Sequence, residues 1–181
     1  MLCRVLCIIS FVGFVYCRYF IVGPAKIRIL DFDPCKEYSN LPMQFIIKSR
    51  MFNESTQLLD AFWVLPVDLD ENVTMSLKCS RIDKRKTQVN SFILNDVEAC
   101  STLQKYVGDL WTYIQSKIGM EPGVCPVKMG NYSTENMILD LTKLNVQMIL
   151  EGRFRTRIFL KHLSKPLYCT DFTIELTPKK E

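Results

Sequence analysis

Apolar and polar residues alternate along most of the chain, and this alternation predicts β-strands. A period of two places one face of a strand in a core and the other face in water. The clearest alternation covers residues 42–48, 72–80, 152–162 and 171–178, and shorter apolar runs lie at 26–32, 60–69, 89–94 and 137–141. About eight strands separated by turn-rich segments predict a mainly β fold, an antiparallel sandwich or a barrel-like cup.

The same alternation assigns the inward side of the four clearest strands. The inward positions are Met43, Phe45 and Ile47; Val73, Met75, Leu77 and Cys79; Phe154, Thr156, Ile158 and Leu160; and Phe172, Ile174 and Leu176. These residues are the predicted strand contribution to the core.

One segment departs from this pattern and predicts a helix. Between residues 95 and 119 the apolar residues Leu103, Tyr106, Val107, Leu110, Ile114 and Ile118 recur at helical spacing. Asn95 with Glu98 resembles a capping arrangement, and Gly119 is a natural stop. The sequence therefore predicts one amphipathic helix, at about 97–118, whose apolar face covers part of the β fold.

The first seventeen residues predict a secretory signal peptide. One basic residue, Arg4, precedes an uncharged run from Val5 to Cys17, and Arg18 ends that run. A basic start, a short apolar core and small residues before the cut predict cleavage near Cys17 and Arg18. A signal anchor is the alternative, but the uncharged run is shorter than the ~20 residues that span a bilayer. Residues 18–181 are then expected to form a single secreted domain.

Three N-glycosylation sequons agree with export. Asn53, Asn72 and Asn131 each begin an N-x-S/T triplet that has no proline in the middle. Asn72 also falls on the polar side of its predicted strand. We expect a glycan on at least one of the three.

Composition and charge limit the classes of function. Hydrophobic residues make up 48% of the chain and charged residues 23%, which suits a folded domain and argues against disorder. Removal of Arg4 leaves a net charge of about +3, too mild to indicate nucleic-acid binding. His162 is the only histidine and the mature chain has no Cys-x-x-Cys pair, so neither a metal site nor a cofactor is expected.

The sequence contains residues that could act in catalysis, but none of them lies in a known catalytic motif. Any Ser-His-Asp or Cys-His site would need His162, which lies at a predicted strand end beside Lys161 and outside any hydrolase motif. The carboxylates that could act in its place, interpreted as turn residues, are Asp31, Asp33, Asp68, Asp70 and Glu71. The sequence predicts a protein that is not an enzyme.

Five cysteines remain after removal of the signal peptide: Cys35, Cys79, Cys100, Cys125 and Cys169. Disulfides are expected in the oxidising export pathway, and an odd count leaves one cysteine over. Cys79 is the candidate for the free thiol because it faces the core, where a thiol packs as a small hydrophobe. A Cys100–Cys125 bridge would fold the segment after the helix back along it. Pro126 would then start the next strand, but spacing alone leaves fifteen two-bridge arrangements open.

The segment CPVKMGNYS, Cys125 to Ser133, resembles the Cys-Pro-x-Lys-x-Gly-x-Tyr-Ser segment of ganglioside activator-like proteins. A G-x-[YF]-R segment follows at a similar distance, at residues 152–155, and a late cysteine, Cys169, precedes a final strand. The likeness covers roughly residues 95–178. On these motifs the chain resembles the MD-2-related lipid-recognition (ML) superfamily. Its length and sparse cysteines are more similar to the insect chemosensory branch, CheA and CheB.

The resemblance implies a secreted β-cup with immunoglobulin-like strands that holds a lipid in an apolar cavity under the helix. It implies the disulfides Cys100–Cys125 and Cys35–Cys169 and a free Cys79. Two further bridges of the vertebrate activator have no counterpart in this chain. The implied function is non-catalytic binding of a small lipid or a pheromone-like hydrophobic cue, with a membrane receptor or a lipid surface as the partner.

The predicted pocket wall consists of Trp63, Leu103, Tyr106, Val107, Leu110, Trp111 and Ile114. The alternative is a helix packed on a filled core, the commoner fate of an amphipathic helix. Two other functions stay open: an extracellular protein-interaction module without a ligand, and a lipid-presenting cofactor for a glycosidase.

A basic row is the last candidate feature. It consists of Arg153, Arg155, Arg157 and Lys161, which alternate with inward residues of one predicted strand. The row could meet anionic headgroups, but such rows are usually the solvated face of a strand.

Overall fold

The computed structural model describes residues 20–21, 25–38, 40–53, 56–82, 88–138 and 149–178. The predicted signal peptide, residues 1–17, and the part of the predicted strand 137–141 beyond Ile138 lie outside these residues. The strands are β1 (Phe20–Ile21), β2 (Ala25–Pro34), β3 (Gln44–Met51), β4 (Gln57–Leu65), β5 (Val73–Ile82), β6 (Gln88–Glu98), β7 (Gly130–Met137), β8 (Ile149–Leu150), β9 (Gly152–His162) and β10 (Lys165–Pro178). The helices are α1 (Ala99–Val107) and α2 (Asp109–Ile118).

The strands form two open antiparallel sheets. The larger sheet has the order β2-β10-β9-β5-β6 and the smaller sheet the order β3-β4-β7, while β1 and β8 pair as a short separate ribbon. The prediction of a mainly β, antiparallel fold with about eight strands is confirmed. Neither sheet closes on itself within the described ranges, and the finer prediction of a cup with immunoglobulin-like strands stays a prediction.

Alternation along β9 sets the two faces of the larger sheet. Phe154, Thr156 and Leu160 are buried, while the arginines between them are exposed. The pairing of β9 with its neighbours extends this inner face to β5 and β10. Leu160 lies opposite Met75 of β5, and Phe154 lies opposite Ile174 of β10. The predicted inward positions of these strands therefore share one face.

Side chains from both sheets meet in a common core. Trp63 of β4, Met75 of β5 and Leu160 of β9 belong to the same buried cluster. At one side the edge strands β2 and β3 approach each other, with the ring centroids of Phe32 and Phe45 5.4 Å apart. At the other side the helices fill the gap, because α1 packs against β5 and β6 and α2 packs against β7.

The prediction of one continuous helix over about 97–118 is wrong, because Gly108 separates α1 from α2. Gly108 has φ 58° and ψ −132°, a conformation that glycine adopts without a steric cost. Its N–H donates to the carbonyls of Leu103 and Gln104, which ends α1. Its own carbonyl accepts from the N–H of Trp111, in the first turn of α2.

The two ends of the helical segment differ in how well they were predicted. β6 continues to Glu98, and the Glu98 carboxylate accepts a hydrogen bond from the N–H of Ser101, so the predicted cap at Asn95 is wrong. Gly119 ends α2 in the left-handed conformation, as predicted.

Two disulfides join distant parts of the fold. Cys35–Cys169 links the residue after β2 to β10 across a sequence separation of 134, and Cys100–Cys125 links α1 to the segment after α2 across 25. They are the two pairs that the resemblance implies. Cys79 of β5 is the free cysteine of the described part of the chain.

The segment after α2 folds back on the helix, but its strand begins later than predicted. The Gln115 side chain donates to the carbonyl of Val124 and accepts from the N–H of Gly123, which holds the returning segment against α2. Pro126 follows a cis peptide bond and starts no strand. Strand β7 begins only at Gly130.

Candidate functional site

Six of the seven residues predicted to line a pocket lie in or against the core between the sheets. They are Trp63 of β4 and, from the helices, Leu103, Val107, Leu110, Trp111 and Ile114. Tyr106 is not brought together with them. Its side chain is 38% exposed, and its ring packs edge-on against Phe92 of β6 at 5.8 Å.

Trp63 of β4 and Trp111 of α2 are in contact. Their ring centroids are 6.0 Å apart, and the side chains are only 7% and 4% exposed. Neither indole N–H has a hydrogen-bond partner in the protein, and no other buried side-chain nitrogen or oxygen of the described residues lacks one. Leaving a buried donor unpaired costs about 1–3 kcal/mol, so this pair is an energetically exceptional point in the core.

Aromatic rings continue from this pair toward the edge where β2 and β3 meet. Phe45 packs on Trp63 at 5.2 Å, and Phe32 stacks on Phe172 of β10 at 6.0 Å. With the Phe32–Phe45 contact these rings form an aromatic row from α2 across both sheets. The predicted pocket wall omitted Phe45 and Phe172, although strand alternation had already placed both residues inside.

Apolar residues of α2, β2, β3 and β10 that pack against the core keep part of their surface accessible to solvent. Ile114 of α2 contacts all three buried clusters of the core, yet it is only half-buried. Ile27 of β2 and Leu176 of β10, which pack against Leu110, are also half-buried, as is Ile47 of β3. These side chains come from both sheets and from α2, and each keeps part of its apolar surface accessible to solvent.

Polar groups of the interior are neutral. The buried polar residues of the described ranges are Ser80, Thr102, Gln115, Thr156, Thr170 and Thr173. Burial raises the pKa of Tyr168 to about 12, so its phenol stays protonated, and its hydroxyl donates to the carbonyl of Phe45 at 3.4 Å. The interior therefore offers hydrogen bonds but no buried charge.

The basic row on β9 is paired with carboxylates of β10, of β6 and of the turn after β2. The ion pairs are Arg153 with Glu175 at 2.8 Å, Arg155 with Asp171 at 3.6 Å, Arg157 with Asp171 at 2.8 Å and with Glu37 at 3.3 Å, and Lys161 with Asp96 at 2.7 Å. Hydrogen bonds from Arg157 lower the pKa of Asp171, which keeps that carboxylate charged. The row thus has the character of a solvated ion-pair face.

Cys79 lies opposite Thr156, on the inner side of the larger sheet. It is half-buried, and burial raises the pKa of its thiol despite a hydrogen bond with Thr156. A protonated thiol is a poor nucleophile, so the geometry favours an inert cysteine.

The residues considered for catalysis are scattered. His162 ends β9 and lies opposite Val73 and Lys165, two residues without an acid group. Asp31 and Asp33 lie within β2, so their interpretation as turn residues is wrong. Asp68, Asp70 and Glu71 do lie in the connection between β4 and β5.

All three sequon asparagines are exposed. Asn53 follows β3, Asn72 precedes β5, and Asn131 lies on β7 opposite Val64. Glycans at these positions would project away from the core, and glycosylation stays a prediction.

Two further observations limit what the described ranges can contain. None of their helices is both long and apolar enough to cross a membrane. They hold no group of three or more His, Cys, Asp or Glu side chains that could bind a metal ion.

Comparison with known proteins adds no family. The sequence matches none of the family models, and the search of curated proteins finds no match. Membership of the lipid-recognition superfamily therefore stays a prediction from the motifs of residues 95–178.

Proposed function

We propose that the protein is a secreted, non-catalytic binder of a small lipid or lipid-like molecule, held between the two sheets under α2. The observation that carries this proposal is the accessible apolar surface around Ile114. The Ile114 side chain contacts every buried cluster and is itself half-buried. A close-packed core leaves few voids and buries such side chains almost completely. Accessible apolar surface inside the sandwich would instead accept an apolar chain.

The binding energy would come from moving an apolar molecule out of water. Each Å² of apolar surface removed from water contributes about 25 cal/mol, and largely preformed apolar sites avoid much of the ordering cost. The sheets and the two disulfides would form a stable wall. Helix α2, bounded by Gly108 and Gly119, would act as the cover whose displacement sets the rate of exchange.

The proposed setting is extracellular. Two disulfides are typical of proteins that fold in an oxidising compartment. The motifs resemble a chemosensory branch of a lipid-binding superfamily, so we propose a hydrophobic chemosensory cue as the cargo. The β-cup architecture and delivery to a membrane receptor or a lipid surface are parts of the same proposal.

Native mass spectrometry of the protein secreted from eukaryotic cells tests this function. We expect a bound small molecule that organic extraction removes, followed by uptake of a neutral apolar fluorophore such as N-phenyl-1-naphthylamine. The variant Ile114→Trp should fill the accessible space and weaken uptake by about tenfold or more. Ile46→Trp, an exposed position on β3, serves as the control and should leave uptake unchanged.

A ligand-free spectrum with no uptake of the fluorophore would contradict the proposal. It would favour the alternative of an extracellular protein-interaction module. If the loaded protein stimulated a glycosidase acting on a membrane lipid, the lipid-presenting cofactor would be favoured instead.

A further inference from the structure

The unpaired indoles of Trp63 and Trp111 stand out against the rest of the interior. Gln115, one turn after Trp111 on α2, is fully buried, and both ends of its amide have partners. The hydroxyl of Thr170 likewise donates to the carbonyl of Asp33. The fold thus satisfies these buried polar groups but leaves the indole N–H groups of Trp63 and Trp111 without an acceptor in the protein.

We propose that Trp63 and Trp111 form a polar subsite inside the apolar interior, where their N–H groups donate hydrogen bonds to an uncharged acceptor oxygen of the ligand. This inference rests on the proposed binding function and specifies the ligand class. An indole N–H is a donor only, so its partner must be an acceptor. The side chains are only 7% and 4% exposed, so this subsite lies within the interior.

The surroundings of the pair exclude an ionised partner. No charged side chain is buried in the described ranges, and the nearest aromatic neighbour, Phe45, adds no polar side-chain group. Two neutral donors do not replace the hydration of a carboxylate or a phosphate, whose burial without a counter-charge is costly. The ligand class is therefore a long apolar molecule with a carbonyl, ester, ether or alcohol oxygen, and neither a plain hydrocarbon nor an ionised fatty acid.

The chain allows an unusually direct test because it contains only two tryptophans. Labelling tryptophan with ¹⁵N at the indole nitrogen gives two indole signals, which the variants Trp63→Phe and Trp111→Phe assign. Three ligands of equal chain length are titrated: an alkane, a ketone and a fatty acid at neutral pH. We expect downfield indole proton shifts with the ketone only, and binding of the ketone about three- to tenfold tighter than that of the alkane.

A second form of the protein isolates the N–H groups from ring shape. Replacement of both tryptophans by β-(3-benzothienyl)alanine keeps a bicyclic ring but puts sulfur in place of the N–H. We expect the ketone to lose its advantage over the alkane, while alkane binding stays within about twofold. Circular dichroism of this form checks that the fold is retained, and the NMR titration of the natural protein is independent of that result.

The outcomes separate this inference from the proposed function. If no apolar ligand binds, the binding function fails and the subsite fails with it. If alkane and ketone bind equally and the indole signals do not move, the subsite is overturned while the carrier function stands. Indole signals already shifted downfield in the ligand-free protein, and unchanged by the ketone, would show that buried water satisfies these donors and would also overturn it.

Discussion

Burial has opposite consequences for the polar atoms of individual residues. Gln115 and Thr170 are buried with partners and therefore support the fold. Trp63 and Trp111 are buried without partners, and the proposed ligand would remove the free-energy cost of their unpaired donors. Burial of the Cys79 thiol raises its pKa and therefore disfavours the charged, reactive thiolate.

We predict that the Cys79 thiol reacts slowly with thiol reagents in the native protein. Its raised pKa means that a smaller fraction is thiolate at pH 8 than in the unfolded chain. Under non-reducing conditions we expect a reaction with 5,5′-dithiobis(2-nitrobenzoate) at least about tenfold slower than in guanidinium-unfolded protein. The Cys79→Ala variant should show no reactive thiol in either state. Equal rates for native and unfolded protein would contradict the prediction.

At the scale of elements, short interruptions of a periodic pattern set the geometry of the site. The apolar spacing continues across Gly108, yet the backbone there separates α1 from α2. This break lets α1 pack against β5 and β6 while α2 packs against β7. Helix α2 consequently carries Trp111 and Ile114 into the space between the sheets.

Substitution of Gly108 should destabilise the protein more than the same substitution at Gly119. Gly108 combines positive φ with an extended ψ, close to a region that only glycine occupies readily, whereas Gly119 is in the left-handed helical region that asparagine tolerates. We expect Gly108→Asn to lower the free energy of unfolding by about 1–3 kcal/mol. Gly119→Asn should cost under ~1 kcal/mol, since no atom lies within 4 Å of a Cβ there.

Urea denaturation of the two asparagine variants measures this difference. Similar losses of stability at both positions would show that the turn between α1 and α2 does not depend on glycine.

At the scale of the whole molecule, the two disulfides constrain very different lengths of chain. Cys35–Cys169 closes most of the described fold, from the end of β2 to β10, whereas Cys100–Cys125 closes only the helical segment and its return. The first bridge also joins two adjacent strands of the larger sheet. The first bridge therefore stabilises the sheet that forms the wall of the proposed site. The second bridge holds the segment after α2, the proposed cover, against α1.

Removal of the longer bridge should cost more stability. In the chain-entropy relation, separations of 134 and 25 give a difference of about 1.5 kcal/mol in the stabilisation of the folded state. We expect the double variant Cys35→Ala/Cys169→Ala to be less stable than Cys100→Ala/Cys125→Ala by about this amount. Denaturation under non-reducing conditions measures it. The reverse order would mean that the shorter bridge contributes mainly through contacts in the native state.

The sequence by itself determined the strands, the faces of the clearest ones and the class of the fold, because alternation is a local property. Phe154, Thr156 and Leu160 are buried as their spacing predicts. Local pattern also identified the stop at Gly119. The local pattern gave the wrong prediction at Gly108. The apolar spacing of a helix continues across this residue, but its backbone conformation ends α1.

Only the tertiary structure decided how the residues of the predicted pocket wall contact one another. Trp63 and Trp111 come from different elements, and nothing in their local sequence shows that they meet or that their donors stay unpaired. Tyr106 fits the helical spacing but faces Phe92 at the surface, because the break at Gly108 turns α1 toward β6. Long-range contacts depend on how whole elements pack, and that information is distributed over the entire chain.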